Sequence, residues 1–174
     1  MTEEDFKRLV LPSKEKLFRV ALALLGNRAE AEDTMQDAYL KLWNMRDRLP
    51  EYDNVEALAV TMTKNLCLDK LRSYRSRMQN STEVERLPVR TERPEPDRET
   101  ELRESHRVIR KIVETLPEQQ KLIFHLRDVE QYSYDEIHEI TGLTKNNIRV
   151  NLSRARKAVR TEYLKQQNYE NQKN

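Results

Sequence analysis

The sequence predicts an all-α fold: two small helical domains joined by an acidic flexible linker. Three observations carry that expectation. The 174 residues include only two glycines and six prolines, too little turn chemistry for a many-stranded β fold. Both glycines, Gly26 and Gly142, stand where an apolar helical pattern stops, the usual place for a residue that closes a helix. Apolar residues (37%) and charged residues (36%) are nearly equal in number, which suits thin helical bundles better than one deep core.

Residues 1–78 form the first expected domain, with three helices. Lys14–Leu25 places Leu17, Ala21, Leu24 and Leu25 on one face. The next helix, Ala29–Met45, has a core stripe of Ala31, Met35, Ala38, Leu42 and Met45. Its far side carries Asp33, Gln36, Asp37, Leu40 and Trp43. Leu40 and Trp43 therefore sit where water is expected, inside an acidic rim. Such a patch suits either protein docking or cover by another helix of the same bundle. The third helix, Val55–Arg77, has two apolar seams, Val55/Ala59/Met62/Leu66 and Val60/Cys67/Leu71, so it packs between neighbours. Between the seams runs a narrow polar strip of Thr61, Asn65, Arg72 and Ser76. The helix ends in "DKLRSYRSR", where basic residues surround Tyr74. That end fits a nucleic-acid backbone with a stacked base, and equally a basic turn complementing the helix dipole.

Residues 79–100, "QNSTEVERLPVRTERPEPDRET" from Gln79, hold three of the six prolines and no periodicity, and read as the linker. Charge separates the parts. Residues 1–78 carry 14 basic and 13 acidic groups, residues 79–105 carry 5 and 8, and residues 106–174 carry 13 and 9. The basic C-terminal part points to a polyanionic partner.

Residues 101–174 form the second domain, with helices expected from Glu99–Thr115 onward at Pro117–Asp128, Tyr134–Thr141 and Lys145–Lys165. Ser133 and Glu136 have capping-box spacing, Gly142 stops the short helix that follows, and Thr144 caps the next. A short helix, a tight glycine turn and a longer helix make a helix-turn-helix. At 100° per residue, Ile148, Leu152, Ala155 and Val159 fall within about 60° of one another and form a buried stripe. The opposite face offers Asn146, Arg149, Val150, Ser153, Arg154 and Lys157, flanked by Arg156 and Arg160. Arginine binds guanine bidentately, asparagine pairs with adenine and valine touches a thymine methyl, while the flanking arginines suit phosphates. A solvated basic face is the plain alternative, but such faces usually mix signs and Lys145 to Arg160 contains no acid.

Catalysis is not expected. His106, His125 and His138 lie at no metal-ligand spacing, "IHEIT" is not H-E-x-x-H, and no phosphate-binding loop occurs. The sequence therefore predicts neither cofactor nor metal. The single cysteine, Cys67, with apolar neighbours, reads as inert packing. No apolar run reaches about 18 residues, and "MTEEDFKRLVLPSKEK" is too charged for a signal peptide. A cytoplasmic protein with no membrane insertion is expected.

Four stretches in order, "NRAEAEDTMQDAYLKLWNMRDRL", "MTKNLCLDKLR", "LPEQQKLIFHLRDVEQYSYDEI" and "NNIRVNLSRARK", resemble the extracytoplasmic-function (ECF) class of sigma-70-type bacterial sigma factors. The resemblance covers most of residues 14–165. It implies a region 2-like first domain and a region 4-like second one, and a transcription initiation factor that binds core RNA polymerase through the β′ clamp helices and the β flap. It also implies duplex promoter DNA with a melted −10 element as a ligand, and an anti-sigma factor as a possible partner. By the resemblance, Asp33, Gln36, Asp37, Leu40 and Trp43 dock polymerase. Thr61, Lys64, Asn65, Arg72 and Arg75 serve the −10 element, with Asn65 near the pocket for a flipped base and the loop "RDRLPEYDN" completing it. Asn146, Asn147, Arg149, Val150, Ser153, Arg154, Arg156 and Lys157 serve the −35 element. The sequence departs from common family forms at Leu58 and Thr61, where Trp and Arg are frequent, at Asn147, where Thr is frequent, and at His138, where a small residue is usual. A stand-alone helix-turn-helix regulator and a helical protein-interaction module remain the other readings.

Overall fold

The computed structural model describes residues 1–80 and 101–173. All the regular structure among the described residues is helical, arranged in two compact units. The expected linker lies, apart from Gln79 and Asn80, outside the described residues.

The N-terminal unit has four helices, one more than the sequence reading anticipated. The extra one, α1 (Glu3–Val10), starts at a capping box: Thr2 Oγ1 accepts from the Asp5 amide, and the Asp5 carboxylate accepts from the Thr2 amide. Phe6 and Val10 are its buried side chains. A 3-10 turn containing Pro12 then leads into α2 (Lys14–Leu25). Leu17, Val20, Ala21 and Leu24 are buried there, whereas Leu25 is half-buried. Gly26 closes α2 at φ +65°, in the left-handed region that glycine adopts without steric cost.

Asn27 caps α3 (Arg28–Asn44) by accepting from the Glu30 amide at 3.0 Å. Helix α3 buries Ala31, Met35, Ala38 and Leu42 of the expected stripe together with Thr34, while Met45, just past its end, is half-buried. A 3-10 turn over Arg46–Glu51 buries Leu49, and α4 (Val55–Asn80) follows, capped by Asn54. Helices α2, α3 and α4 pack on one another, and α1 leans on α4. The two seams of α4 are replaced by a broader buried face of Ala57, Ala59, Val60, Thr63 and Cys67. Each fully buried Leu or Val contributes roughly 1.5–3 kcal/mol. Burial also pushes the Cys67 thiol up to about 12, so it stays protonated and unreactive at neutral pH.

The C-terminal unit contains α5 (Glu101–Glu114), α6 (Glu118–Phe124), α7 (Tyr134–Thr141) and α8 (Lys145–Lys173). Helix α6 stops four residues earlier than its pattern suggested and widens into a π turn, His125–Val129, closed by the Glu130 amide donating to the His125 carbonyl. Buried His125 and the side chain of Glu130 face each other at 3.1 Å beneath it. Helix α8 packs against α5 and α6. Ala155 and Val159 share a core with Ile112 and Leu116, and Ile148 and Leu152 are buried as well. No helix is long and apolar enough to cross a membrane among the described residues.

Candidate nucleic-acid and protein-docking surfaces

The helix-turn-helix is built by three local devices. The Ser133 amide donates to Glu136 Oε2 at 2.7 Å while Ser133 Oγ accepts from the Glu136 amide at 3.1 Å, the reciprocal box that starts α7. Gly142, at φ +73°, turns the chain after α7. Thr144 Oγ1 then accepts from the Asn147 amide at 3.1 Å and starts α8. His138, exposed on α7, points Nδ1 at the Leu143 carbonyl, 2.7 Å away, and braces the turn.

With Ile148, Leu152, Ala155 and Val159 held inside, all eight residues expected at the −35 element are exposed: Asn146, Asn147, Arg149, Val150, Ser153, Arg154, Arg156 and Lys157. Arg149, Ser153, Arg156 and Lys157 line one cleft of about 430 Å³ with Arg160 and Tyr134. Four cations around one concavity make it suited to an anion. Two of these side chains already have partners within the unit. Arg156 is already engaged, its Nε 2.8 Å from Asp128 Oδ2 and a second nitrogen on the other carboxylate oxygen. The Asp128 carboxylate, as a hydrogen-bond acceptor, raises the Arg156 pKa. A phosphate reaching Arg156 competes with that bidentate pair. Asn147 has its side-chain oxygen occupied by the amide of buried Asn151 at 2.7 Å, which leaves its NH₂ group to face outward.

On α4, Asn65 and Arg72 of the polar strip are exposed, as is Arg75 beside it, and Arg72 lies 3.6 Å from Asp69. Thr61 turns its hydroxyl back to the Ala57 carbonyl at 2.7 Å, so that hydrogen is spent within the helix. Lys64, also expected at the −10 element, precedes Asn65 on α4. The basic end is ordered by Arg77 lying 5.0 Å from the centre of the Tyr74 ring.

On α3, Asp33, Gln36, Asp37 and Leu40 are exposed, Leu40 by 60%. Lys70 of α4 ties down the acidic end, 3.3 Å from Glu30 and 3.9 Å from Asp33. Trp43 is half-buried, because another helix of the same bundle covers one of its edges. Phe6 of α1 meets its ring edge-on at 5.1 Å and 83°, and the Arg46 guanidinium lies 4.5 Å from its centre. Between α1 and α3 remains a groove of about 600 Å³, whose apolar lining includes Phe6, Leu11, Met35, Tyr39, Leu40 and Trp43. The Tyr39 hydroxyl has no hydrogen-bond partner among the described residues, and burial pushes its pKa up to about 12. The contribution of α1 was missed in the sequence, although Thr2 and Asp5 at capping-box spacing signal it. Nothing in the sequence signals the pairing of Arg156 with Asp128, because those residues lie 28 positions apart.

Comparison with known proteins gives these surfaces a family. The family model for Sigma-70 region 2 matches residues 9–77, and that for Sigma-70, region 4, matches residues 106–159. The probable RNA polymerase sigma factor RfaY of Xanthomonas campestris is 28% identical over 93% of this chain and 41% of its own length. The ECF RNA polymerase sigma factor SigE of Mycolicibacterium smegmatis is 27% identical over 92% of this chain and 62% of its own. The chain thus spans about half the length of these two relatives. The ECF sigma factor SigW of Bacillus subtilis is 25% identical over 91% of this chain and 88% of its own. Among solved structures, the sigma factor RpoE from Bartonella quintana, crystallised with the anti-sigma factor NepR, superposes with a TM-score of 0.79 at 26% identity, covering 93% of this chain and 98% of that one. Regions 2 and 4 match in chain order, and the relatives share that family: the chain belongs to the sigma-70 family of RNA polymerase sigma factors, among its extracytoplasmic-function members.

Proposed function

We propose that this protein binds core RNA polymerase and directs it to promoters by recognising −10 and −35 elements. The observation that carries the reading is the presence, in one chain, of two outward helical faces with different chemistry. The face of α8 is basic and polar with no acid from Lys145 to Arg160, which suits a major groove and its phosphates. The face of α3 is acidic around exposed Leu40 and half-buried Trp43, which suits a protein with basic and apolar groups. A stand-alone regulator has no use for the second face, and usually dimerises on a palindrome.

In this reading α3 grips the β′ clamp helices through Asp33, Gln36, Asp37, Leu40 and Trp43. Asn65, with Arg72 and Arg75 along the same helix, receives the unstacked −10 strand, whose extrusion costs a few kcal/mol. The α8 face anchors upstream DNA at the −35 element. The protein acts by position in the cytoplasm, catalyses no reaction itself and needs no cofactor. An anti-sigma factor, the kind of partner crystallised with the Bartonella RpoE, is the natural regulator of such a surface.

Run-off transcription with purified core polymerase and genomic promoter fragments tests the proposal. A transcript that depends on both the fragment and this chain is the expected result. Tight duplex binding by the chain alone, with no promoter-dependent transcript, overturns it in favour of a stand-alone regulator.

A further inference from the structure

Two guanidinium groups are held over one phenol ring at the start of the helix-turn-helix. The Arg127 Cζ lies 4.9 Å, and the Arg149 Cζ 5.3 Å, from the centre of the Tyr134 ring. Tyr134 is the first residue of α7, and its backbone is set by the Ser133–Glu136 box. Arg127 is also fixed, because it donates from Nη1 to the Tyr132 carbonyl at 2.8 Å. The ring is therefore a rigid, half-buried platform, and Arg149 is the exposed partner that rests on it. A free arginine side chain samples many rotamers, and a planar guanidinium stacked on an aromatic face samples few.

We infer that Tyr134 is the positioning residue for Arg149: it holds the guanidinium at the mouth of the basic cleft, and so sets −35 base preference without touching a base. The inference rests on the reading of Arg149 as a base contact. Bidentate recognition of a guanine edge needs both the place and the plane of the guanidinium. A ring beneath it supplies that order before DNA arrives, which is what makes a contact selective rather than merely attractive. The Tyr134 hydroxyl is not required by this role.

The test uses the full chain with core polymerase and a library of duplex promoter fragments randomised at the −35 element, sequenced before and after binding. Arg149→Ala should flatten preference at one or two positions, by roughly tenfold for a lost bidentate contact. Tyr134→Phe should keep the wild-type profile. Replacing Tyr134 by 3,4,5-trifluorophenylalanine keeps the ring's shape and packing but withdraws electron density from its face. It should flatten the same positions by about threefold relative to Phe, because the ring attracts cations through that density. A melting temperature equal to that of Tyr134→Phe shows that its effect is not one of unfolding. A profile equal to that of Tyr134→Phe overturns the positioning role. A loss already present in Tyr134→Phe also overturns it, in favour of a contact through the hydroxyl, and a uniform loss across all sequences overturns it in favour of a general effect on binding. If Arg149→Ala itself leaves the profile unchanged, the base-contact reading of Arg149 fails and the inference falls with it.

Discussion

Helices α3 and α8 pose the same problem and solve it differently. Each buries one stripe and turns an interaction face outward. On α8 the outward face is wholly exposed, and its neighbours trim individual side chains: Asp128 holds Arg156 and Tyr134 steadies Arg149. On α3 the outward face is shared, because α1 takes the edge of Trp43 and leaves Leu40 bare. Charge repels burial, so a basic face stays where the helical period puts it. An apolar face attracts cover until something of its own chain partly supplies it. The contrast explains why a DNA-reading helix is easy to recognise by pattern and a docking helix is not.

The comparison can be broken most forcefully at Ile148, the buried neighbour of Arg149. Ile148→Ala should destabilise the protein by about 2–5 kcal/mol, seen as a lower melting temperature and lost −35 binding at any sequence. A smaller effect, below about 1 kcal/mol, would mean the stripe does not hold α8 in place.

Next in size is the pair on α3. Trp43→Ala should cost about 2 kcal/mol of stability, less than a fully buried tryptophan, and should also weaken core polymerase binding. Leu40→Ala should lower polymerase affinity by about 1–2 kcal/mol with a melting temperature within a degree or so of wild type. Equilibrium binding and thermal melts on both variants separate the shared edge from the bare one. Unchanged polymerase affinity for Leu40→Ala would take away the docking role of the patch.

For the outward face of α8, Arg149→Ala should cost about 1–3 kcal/mol of discrimination at one or two bases, measured on duplexes altered one position at a time. A uniform loss over all duplexes would make Arg149 a phosphate contact instead.

The smallest change is expected at the ion pair. Asp128→Asn releases Arg156, and the slope of log affinity against log salt should steepen by about one. Stability should move by no more than about 1 kcal/mol, because the pair is largely exposed to solvent. An unaltered slope would show that Arg156 faces no phosphate in either form.

Much of this was legible in the chain. The 3.6-residue period of Ile148, Leu152, Ala155 and Val159, the Ser133–Glu136 spacing and the two glycines each act within a few residues, so α7 and α8 begin where the sequence says they do. Helix α2 likewise matches its expected bounds. The engagement of Arg156 by Asp128 was not legible, because the two residues lie 28 positions apart. Helix α1 was legible only in its Thr2–Asp5 spacing, since "TEEDFKRLV" carries only two buried side chains and looks like a charged terminus until Phe6 finds Trp43.

Local rules, then, were enough for the bounds of α2, the starts of α7 and α8, the acid-free face of α8 and the acidic rim around Leu40, because period, caps and charge need no distant partner. The tertiary structure alone decided which of those side chains stay available. Arg156 meets Asp128, Arg149 meets Tyr134 and Trp43 meets Phe6 across 15 to 37 residues of chain. Ion pairs and ring contacts act over a few ångströms, and only folding brings residues that far apart in sequence within that range.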